Sequence, residues 1–387
     1  MSSLHLKSLK ELCRVNPETL DDSTNPWSKF RYIDLSSVRN QKIDLCTEAL
    51  SFKQLPSRAR RKIKQNDVLL GTVRPNLKNF AFIDSEADDL VCSTGFAVLR
   101  SRERESDPNY IFHVINSDFV GRQLNALVTG SNYPAVNANQ VAELLLPAPP
   151  LLEQKKIAEI LSGIDKIIAR YSQKREKLSK LRSALRSDLL SGRKGSWGMS
   201  EWPSELHMQT LGESCDIHDS KRIPLSSEQR QTRKGEYPYY GANNIQDYID
   251  AYLFDFDAVL LAEDGGYYDE YQSRPIAQFA TGKYWVNNHA HILTGKTEMD
   301  IRFLFYSLIH KNILSYINTG TRSKLNQSEL KQIEILVPPL PEQKKIAEIL
   351  SGVDHQMATL LDAEKKYVSL KQAIAADLLS GRKRVSV

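Results

Sequence analysis

What this chain lacks narrows its class before any motif is sought. No run of 18 apolar residues occurs, and the opening MSSLHLKSLKELCRV has no apolar core of a secretory signal, so a cytoplasmic protein is expected. Cysteine is scarce. Cys13, Cys46, Cys92 and Cys215 stand apart with no C-x-x-C pair, which suits neither a zinc site nor a disulfide framework and leaves core thiols in a reducing compartment. Charge is also weakly biased: 52 Lys and Arg face 47 Asp and Glu, a net +5 that by itself names no polyanionic partner.

Catalytic signatures are missing too. Gly295-Lys296-Thr297 ends like a phosphate-binding loop, but Ala290 stands where that loop needs its first glycine. Asn25-Pro26-Trp27 has part of the N-P-P-aromatic pattern that grips an extruded adenine. It lacks the second proline and any glycine-rich cofactor loop, and reads as a turn. His289 and His291 alternate on an expected strand with no carboxylate or cysteine at ligand spacing, so no metal is expected. Glu263-Asp264-Gly265-Gly266 reads as a hairpin turn. No enzyme site is expected in this chain.

What is present is a duplication. EQKKIAEILSG occupies Glu153–Gly163 and again Glu342–Gly352, each after a double proline (Pro149-Pro150 and Pro338-Pro339). The match runs without a gap to DLLSGRK, ending at Lys194 and Lys383, with every position offset by 189. Apolar residues recur at steps of three, four or seven: Ile157, Ile160, Ile164, Ile167, Tyr171, Leu178, Leu181 and Leu185 in the first copy. The second copy has Ile346, Ile349, Val353, Leu360, Tyr367, Leu370 and Ile374, with Gln356 interrupting it. That is a coiled-coil seam with charged outer faces. The prolines suit helix starts, and Gly192 and Gly381 suit helix stops. Each helix should run ~38 residues, or ~57 Å. A parallel pair would force the chain to travel that length back, so antiparallel packing is expected.

The segments ahead of the helices repeat each other more faintly. Tyr32–Leu35, Asp67–Val73 and Phe96–Leu99 read as strands, and Tyr110–Asn116 and Phe119–Leu127 as helices. Asp257–Leu261 answers Asp67–Leu70, His289–Leu293 answers Phe96–Leu99, and Ile301–Ile309 answers the Tyr110 helix. The chain is therefore a head-plus-helix unit used twice, with heads diverged and helices kept. Domains are expected at 1–150 (first head), 151–194 (central helix), 195–340 (second head) and 341–387 (C-terminal helix).

Binding chemistry collects in the heads. Arg58, Arg60, Arg61, Lys62 and Lys64 crowd one stretch, and Arg230, Arg233 and Lys234 another. Arg74, Asn76 and Lys78 follow a strand, and Thr129-Gly130-Ser131-Asn132-Tyr133 forms a loop. In the second head, Tyr239, Tyr240, Asn243 and Asn244 lie on one stretch, and Lys283, Tyr284 and Asn287 on another. Gly320, Thr321, Arg322 and Lys324 form a third. Such amides read adenine edges, and such cations read guanine or hold phosphates. The alternative for each is an ordinary polar surface loop.

The doubled Pro-Pro-Leu-x-Glu-Gln-x-x-Ile-Ala, with Tyr-Pro-Tyr-Tyr-Gly-Ala-Asn at Tyr237–Asn243 and Asp-Ala-Val-Leu-Leu at Asp257–Leu261, resembles the specificity subunit of type I restriction–modification systems. The likeness runs the whole chain, more loosely in the first head, where Arg74-Pro75-Asn76 replaces an acidic–glycine turn. It implies an α+β fold: two α/β target-recognition domains separated by two long antiparallel helices in a coiled coil, with a pseudo-two-fold repeat. Each head would read one half of a bipartite double-stranded DNA target. The helices, through Ile157, Ile160, Ile164, Leu181, Leu185, Ile346, Ile349, Val353, Leu370 and Ile374, would fix the gap and dock two adenine-N6 methyltransferase subunits. Those partners would use S-adenosylmethionine, and motor-nuclease subunits ATP and Mg; this chain would hold no cofactor and perform no chemistry. A coiled-coil adaptor without DNA recognition is the competing class.

Overall fold

The computed structural model describes residues 5–45, 48–86, 88–128, 134–191, 207–319 and 323–386. Cys46, Ser131, Asn132, Tyr133, Gly192, Thr321 and Arg322 lie outside the described residues.

In the first head two four-stranded sheets lie in sequence-interleaved order. One is antiparallel: Cys13–Val15, Phe96–Ser101, Val68–Gly71, Phe80–Phe82. The other runs Leu50–Ser51, Lys29–Ile33, Leu90–Ser93, Ala59–Lys62, and its central pair is parallel. The second head repeats both orders. Its first sheet is Cys215–Ile217, Ala290–Gly295, Ala258–Ala262, Ala277–Ala280. Its second is Ile245–Ile249, Lys234–Tyr240, Lys283–Val286, Phe254–Asp255, again with a parallel central pair. Val68, Leu69 and Leu70, like Val259, Leu260 and Leu261, are buried on both faces, which explains why these strands read as continuous apolar runs. Helices Pro108–Ile115 and Ile301–Leu308 then cover corresponding sheets, each capped by an aspartate. Glu263–Gly266 does not close a tight hairpin. It opens a longer connection that ends at strand Ala277–Ala280, with Gly265 at φ +64°.

Two helices of 40 residues follow the heads, Leu151–Leu190 and Leu340–Leu379. The chain divides into two compact units, 1–172 with 362–387, and 173–361. Each unit joins one head to the start of one long helix and the end of the other. Within each unit the helices are antiparallel. Asp165 meets Lys371 at 2.6 Å in the first unit, and Arg182 meets Asp354 at 3.0 Å in the second. These two ion pairs are the same pair in the repeat, since each partner lies 189 positions from its counterpart.

The seam differs from the expected one. Its buried and half-buried positions step by four and three: Ile157, Leu161, Ile164, Ile168, Tyr171, Arg175, Leu178, Arg182, Leu185 and Leu189. The second helix repeats this as Ile346, Leu350, Val353, Met357, Leu360, Glu364, Tyr367, Lys371, Ile374 and Leu378. Met357, beside Gln356, keeps that seam unbroken. Leu181 and Leu370, expected inside, are 50% and 46% exposed. The reason is electrostatic: Arg182 and Lys371 take the seam positions to reach Asp354 and Asp165, which turns each neighbouring leucine about 100° outward. Tyr171 stacks on Tyr367 with ring centroids 5.6 Å apart.

The first turns of the helices belong to the heads. Ile157, Ala158 and Leu161 enter the first head's core with Leu379, and Ile346, Ala347 and Leu350 enter the second's with Leu189. The repeated Glu-Gln pair is buried here. Gln154 accepts from the Asp107 amide (3.1 Å) and donates to the carbonyls of Glu105 (3.0 Å) and Pro149 (2.9 Å). Gln343 does the same with Asp300 (2.9 Å), Glu298 (2.9 Å) and Pro338 (2.9 Å). Asp107 and Asp300 are the caps of the covering helices, so one glutamine ties helix start, proline turn and head together in each copy. The Asp of each seam ion pair also faces its own head. Tyr306 donates to Asp354 at 2.9 Å, and His113 lies 4.0 Å from Asp165. Glu153 adds a bidentate pair with Arg384 (2.6 and 2.5 Å), and Gly381, at φ +68°, turns the chain toward it.

Candidate nucleic-acid interface

The basic stretch of the first head spans the strand Ala59–Lys62 and the turn before it. Arg58 is exposed, Arg60 lies over the Phe52 ring at 4.9 Å, and Arg61 donates to the Thr19 hydroxyl at 3.0 Å. Lys62 is half-buried on the edge strand. Lys64 is drawn away by Glu18 at 2.6 Å. Residues 50–66 hold six cations and no carboxylate, so the strip stays strongly positive.

The Arg74–Lys78 turn is stiff. Arg74 and Lys78 both sit in the left-handed region (φ 48° and 50°), flanking a one-turn helix begun by Pro75. Arg74 and Asn76 are exposed, but the Lys78 ammonium binds the Asn116 carbonyl at 3.1 Å. Asn116 ends helix Pro108–Ile115, so Lys78 satisfies that terminus rather than facing outward as expected.

In the second head the structure separates surface groups from interior ones. Tyr239, Tyr284 and Asn287 are buried, which corrects the expectation that they meet DNA. Tyr239 and Tyr284 lie on the parallel central pair of a sheet with apolar clusters on both faces, which bury these two side chains although Lys234 and Lys283 at the strand starts stay exposed. The Tyr239 hydroxyl accepts from the Leu225 amide at 2.9 Å, and Tyr284 stacks on Phe254 at 5.5 Å. Asn287 accepts from the His289 amide at 2.8 Å and shapes the turn between strands. Tyr240 and Asn243 are half-buried; Asn243 donates to the Gly265 carbonyl at 2.8 Å and joins two loops. Asn244, Lys283 and Lys324 remain exposed. Arg230, Arg233 and Lys234 are largely spent internally. Arg230 lies over Tyr239 (5.2 Å), Arg233 over Trp285 (5.1 Å) and beside Asp250 (2.9 Å), and Lys234 on Asp247 (2.6 Å).

An ionic network that sequence spacing did not reveal supports the Lys324 strand. Asp219, Glu263 and His291 each bring one ligand-type atom within 4.8 Å of the others, from segments far apart in the chain. Those atoms are already engaged. Arg222 reaches Glu263 at 2.6 Å, Lys324 reaches it at 3.1 Å, and His291 meets Asp219 at 2.5 Å and the Leu325 carbonyl at 2.8 Å. Burial pushes the Glu263 carboxyl up, but hydrogen bonds from Arg222 and Lys324 outweigh it and hold the group below the usual carboxylate range. Burial likewise raises Asp219, and the His291 hydrogen bond reverses the direction. Two cations balance two carboxylates, so the cluster fits a loop anchor better than a metal cage. The thiols are no more reactive: burial pushes Cys13 and Cys215 up to about 12.

Two heads of one topology, each clipped by the equivalent glutamine to the long helix that follows it, define a duplicated head-plus-helix protein. The chain belongs to the family described as the type I restriction modification DNA specificity domain, which matches residues 3–180 and 203–368. It is 40% identical over 150 residues to a putative type I restriction enzyme specificity subunit of Haemophilus influenzae, spanning 39% of this chain and 38% of that one. A putative specificity subunit of Methanocaldococcus jannaschii is 22% identical over 95% of this chain and 86% of its own. Among solved structures, a chain reported under complex assembly and conformational transition of the type I R-M system is 25% identical. It matches with a TM-score of 0.55 over 97% of each chain. The S subunit from M. genitalium, 16% identical, shares the fold at a TM-score of 0.66 over 98% of this chain and 97% of its own. The two curated relatives are named specificity subunits of type I restriction enzymes, and the adaptor reading finds no support among them.

Proposed function

We propose that each head reads one half of a bipartite duplex DNA target, and that the helices set the unspecified gap between halves and dock two adenine-N6 methyltransferase subunits. The observation that carries this is the contrast within the repeat. The glutamine clip, the seam ion pair and the sheet orders are the same in both copies, while the surface groups of the heads differ. A constant frame with two different faces suits one docking requirement and two different sequences to read. The methyl donor would sit on the methylation partners, and ATP and Mg²⁺ on motor-nuclease subunits, all acting on DNA in the cytoplasm.

Single-molecule methylation sequencing of cells carrying this chain with its methylation partner tests the reading. A split adenine motif is expected, and exchanging residues 1–150 for another head should change one half only. A motif that changes in both halves, or none at all in an active system, overturns it.

A further inference from the structure

We propose that each head grips the DNA backbone through an aromatic–cation corner: Trp27 with Lys53 in the first head, and Tyr252, Tyr237 and Lys283 in the second. The inference rests on the DNA-reading function above; Trp27, Lys53 and Tyr252 lie outside the stretches already named as binding candidates, and Tyr237 and Lys283 within them.

The corners lie beside corresponding connections, although the first takes its lysine from the connection and the second its ring, with Lys283 at the start of a central strand. In each head the sheet with the parallel central pair has a connection that crosses from one edge strand to the other, residues 52–58 in the first and 250–253 in the second. Each connection is held to the start of the neighbouring strand by the same kind of backbone bond. Phe52 donates to the Ser28 carbonyl at 2.8 Å, and Asp250 donates to the Arg233 carbonyl at 2.9 Å. At that place the first head presents Trp27, whose ring is 72% exposed. Its backbone is tied down by hydrogen bonds: its amide donates to the Asn25 side chain at 3.0 Å, and the Lys53 backbone amide donates to the Pro26 carbonyl at 3.1 Å. The Lys53 ammonium lies 5.8 Å from the indole centroid. The second head presents Tyr252, 41% exposed, with Lys283 at 4.7 Å from its centroid and the Tyr237 ring at 5.1 Å.

The residue types differ between heads but the chemistry does not. Each corner is an exposed flat ring with a lysine alongside, on backbone tied by hydrogen bonds at or next to the ring's residue. An isolated exposed leucine needs no explanation, whereas a mostly exposed tryptophan next to a stretch of six cations, of which Lys64 is paired with Glu18, does. A polyanion with flat apolar units between its charges satisfies both groups: the ammonium reaches a phosphate oxygen and the ring lies against deoxyribose or an accessible base face. Duplex DNA is that ligand. Asp255 stands opposite Lys283 across the strand pair, so the second corner should contribute less charge than the first.

The test uses the full-length chain in its assembled complex and a fluorescein-labelled random-sequence 40-base-pair duplex, titrated at several salt concentrations. Trp27→Ala and Tyr252→Ala should each weaken binding roughly ten-fold. Lys53→Ala should lower the slope of log affinity against log salt by about 1, and Lys283→Ala by less. All four side chains are solvent-facing, so melting temperatures should stay unchanged and serve as the folding control. Emission lost on adding DNA to the native chain but not to Trp27→Phe would place the indole at the interface independently. If the native complex binds with steep salt dependence and the four variants match it, the corners are not contacts. If the native complex fails to bind any duplex, the DNA-reading function falls first, and the corners with it.

Discussion

At the scale of single residues, buried polar side chains do more than the apolar ones to make this fold specific. Gln154 and Gln343 each satisfy one amide and two carbonyls that would otherwise be stranded where helix, proline turn and head converge. Gln343→Leu keeps the volume and removes all three bonds. It should destabilise the second unit by about 2–4 kcal/mol, as unsatisfied buried groups cost about 1–3 kcal/mol each, and calorimetry should show a lowered transition. His113 offers a pH signature. Burial, and secondarily Lys371, lowers its pKa to about 3, while it hydrogen-bonds Ser162 at 3.0 Å. The unfolded chain takes up a proton near 6.5 and the folded chain does not. Stability is thus intact above that value and falls as pH drops toward about 3. Between pH 7 and 5 the loss should be about 2 kcal/mol. His113→Gln should flatten that part of the profile in urea titrations at stepped pH; an unchanged slope would show that another group is responsible.

At the scale of elements, the two long helices illustrate how charge settles a register that apolar spacing leaves open. Ile160, Ile164, Leu181 and Leu185 make an acceptable stripe on paper, as do Ile349, Val353, Leu370 and Ile374. The helices keep Ile164, Leu185, Val353 and Ile374 on the seam but place Arg182 and Lys371 there instead of Leu181 and Leu370, and each finds an aspartate across the seam. The Lys371–Asp165 pair is partly screened, with side chains 21% and 37% exposed, so its worth is modest. Lys371→Glu should cost about 1–2 kcal/mol by adding repulsion to the lost attraction, and Asp165→Lys combined with it should recover most of that. Thermal melts of the two single variants and the double variant measure this directly. Full additivity of the two losses would remove the pair from the account of register.

At the scale of the whole molecule, helix length becomes a functional quantity if the helices set the gap. Deleting one heptad from each helix, at positions 189 apart, preserves the seam and shortens each by ~10 Å, or about three base pairs of duplex. The methylated motif should keep both half-sites and lose about three positions between them. An unchanged gap would mean that the helices do not act as the ruler.

The duplication, the long helices, the principal strands of both heads and the family were legible because each rests on periodicity or identity, which one dimension preserves, and the antiparallel packing followed from helix length and chain connectivity. So was the basic strip at Arg58–Lys62, since adjacency in sequence is adjacency on a strand. What could not be read is what depends on which neighbours arrive from afar. Tyr239, Tyr284 and Asn287 look like binding residues in a polar, aromatic stretch, and only the tertiary structure shows the two tyrosines buried on the parallel pair and Asn287 buried in the turn after it. Lys78 looks free until Asn116 supplies a helix end for it to cap. Asp219, Arg222, Glu263 and His291 have no spacing that links them, yet they meet around Lys324. The amino-acid sequence determined the repeat and its elements because hydrophobic period and local propensity act over a few residues. The tertiary structure alone decided which polar groups face solvent, because burial and pairing are settled by partners that lie tens of positions away.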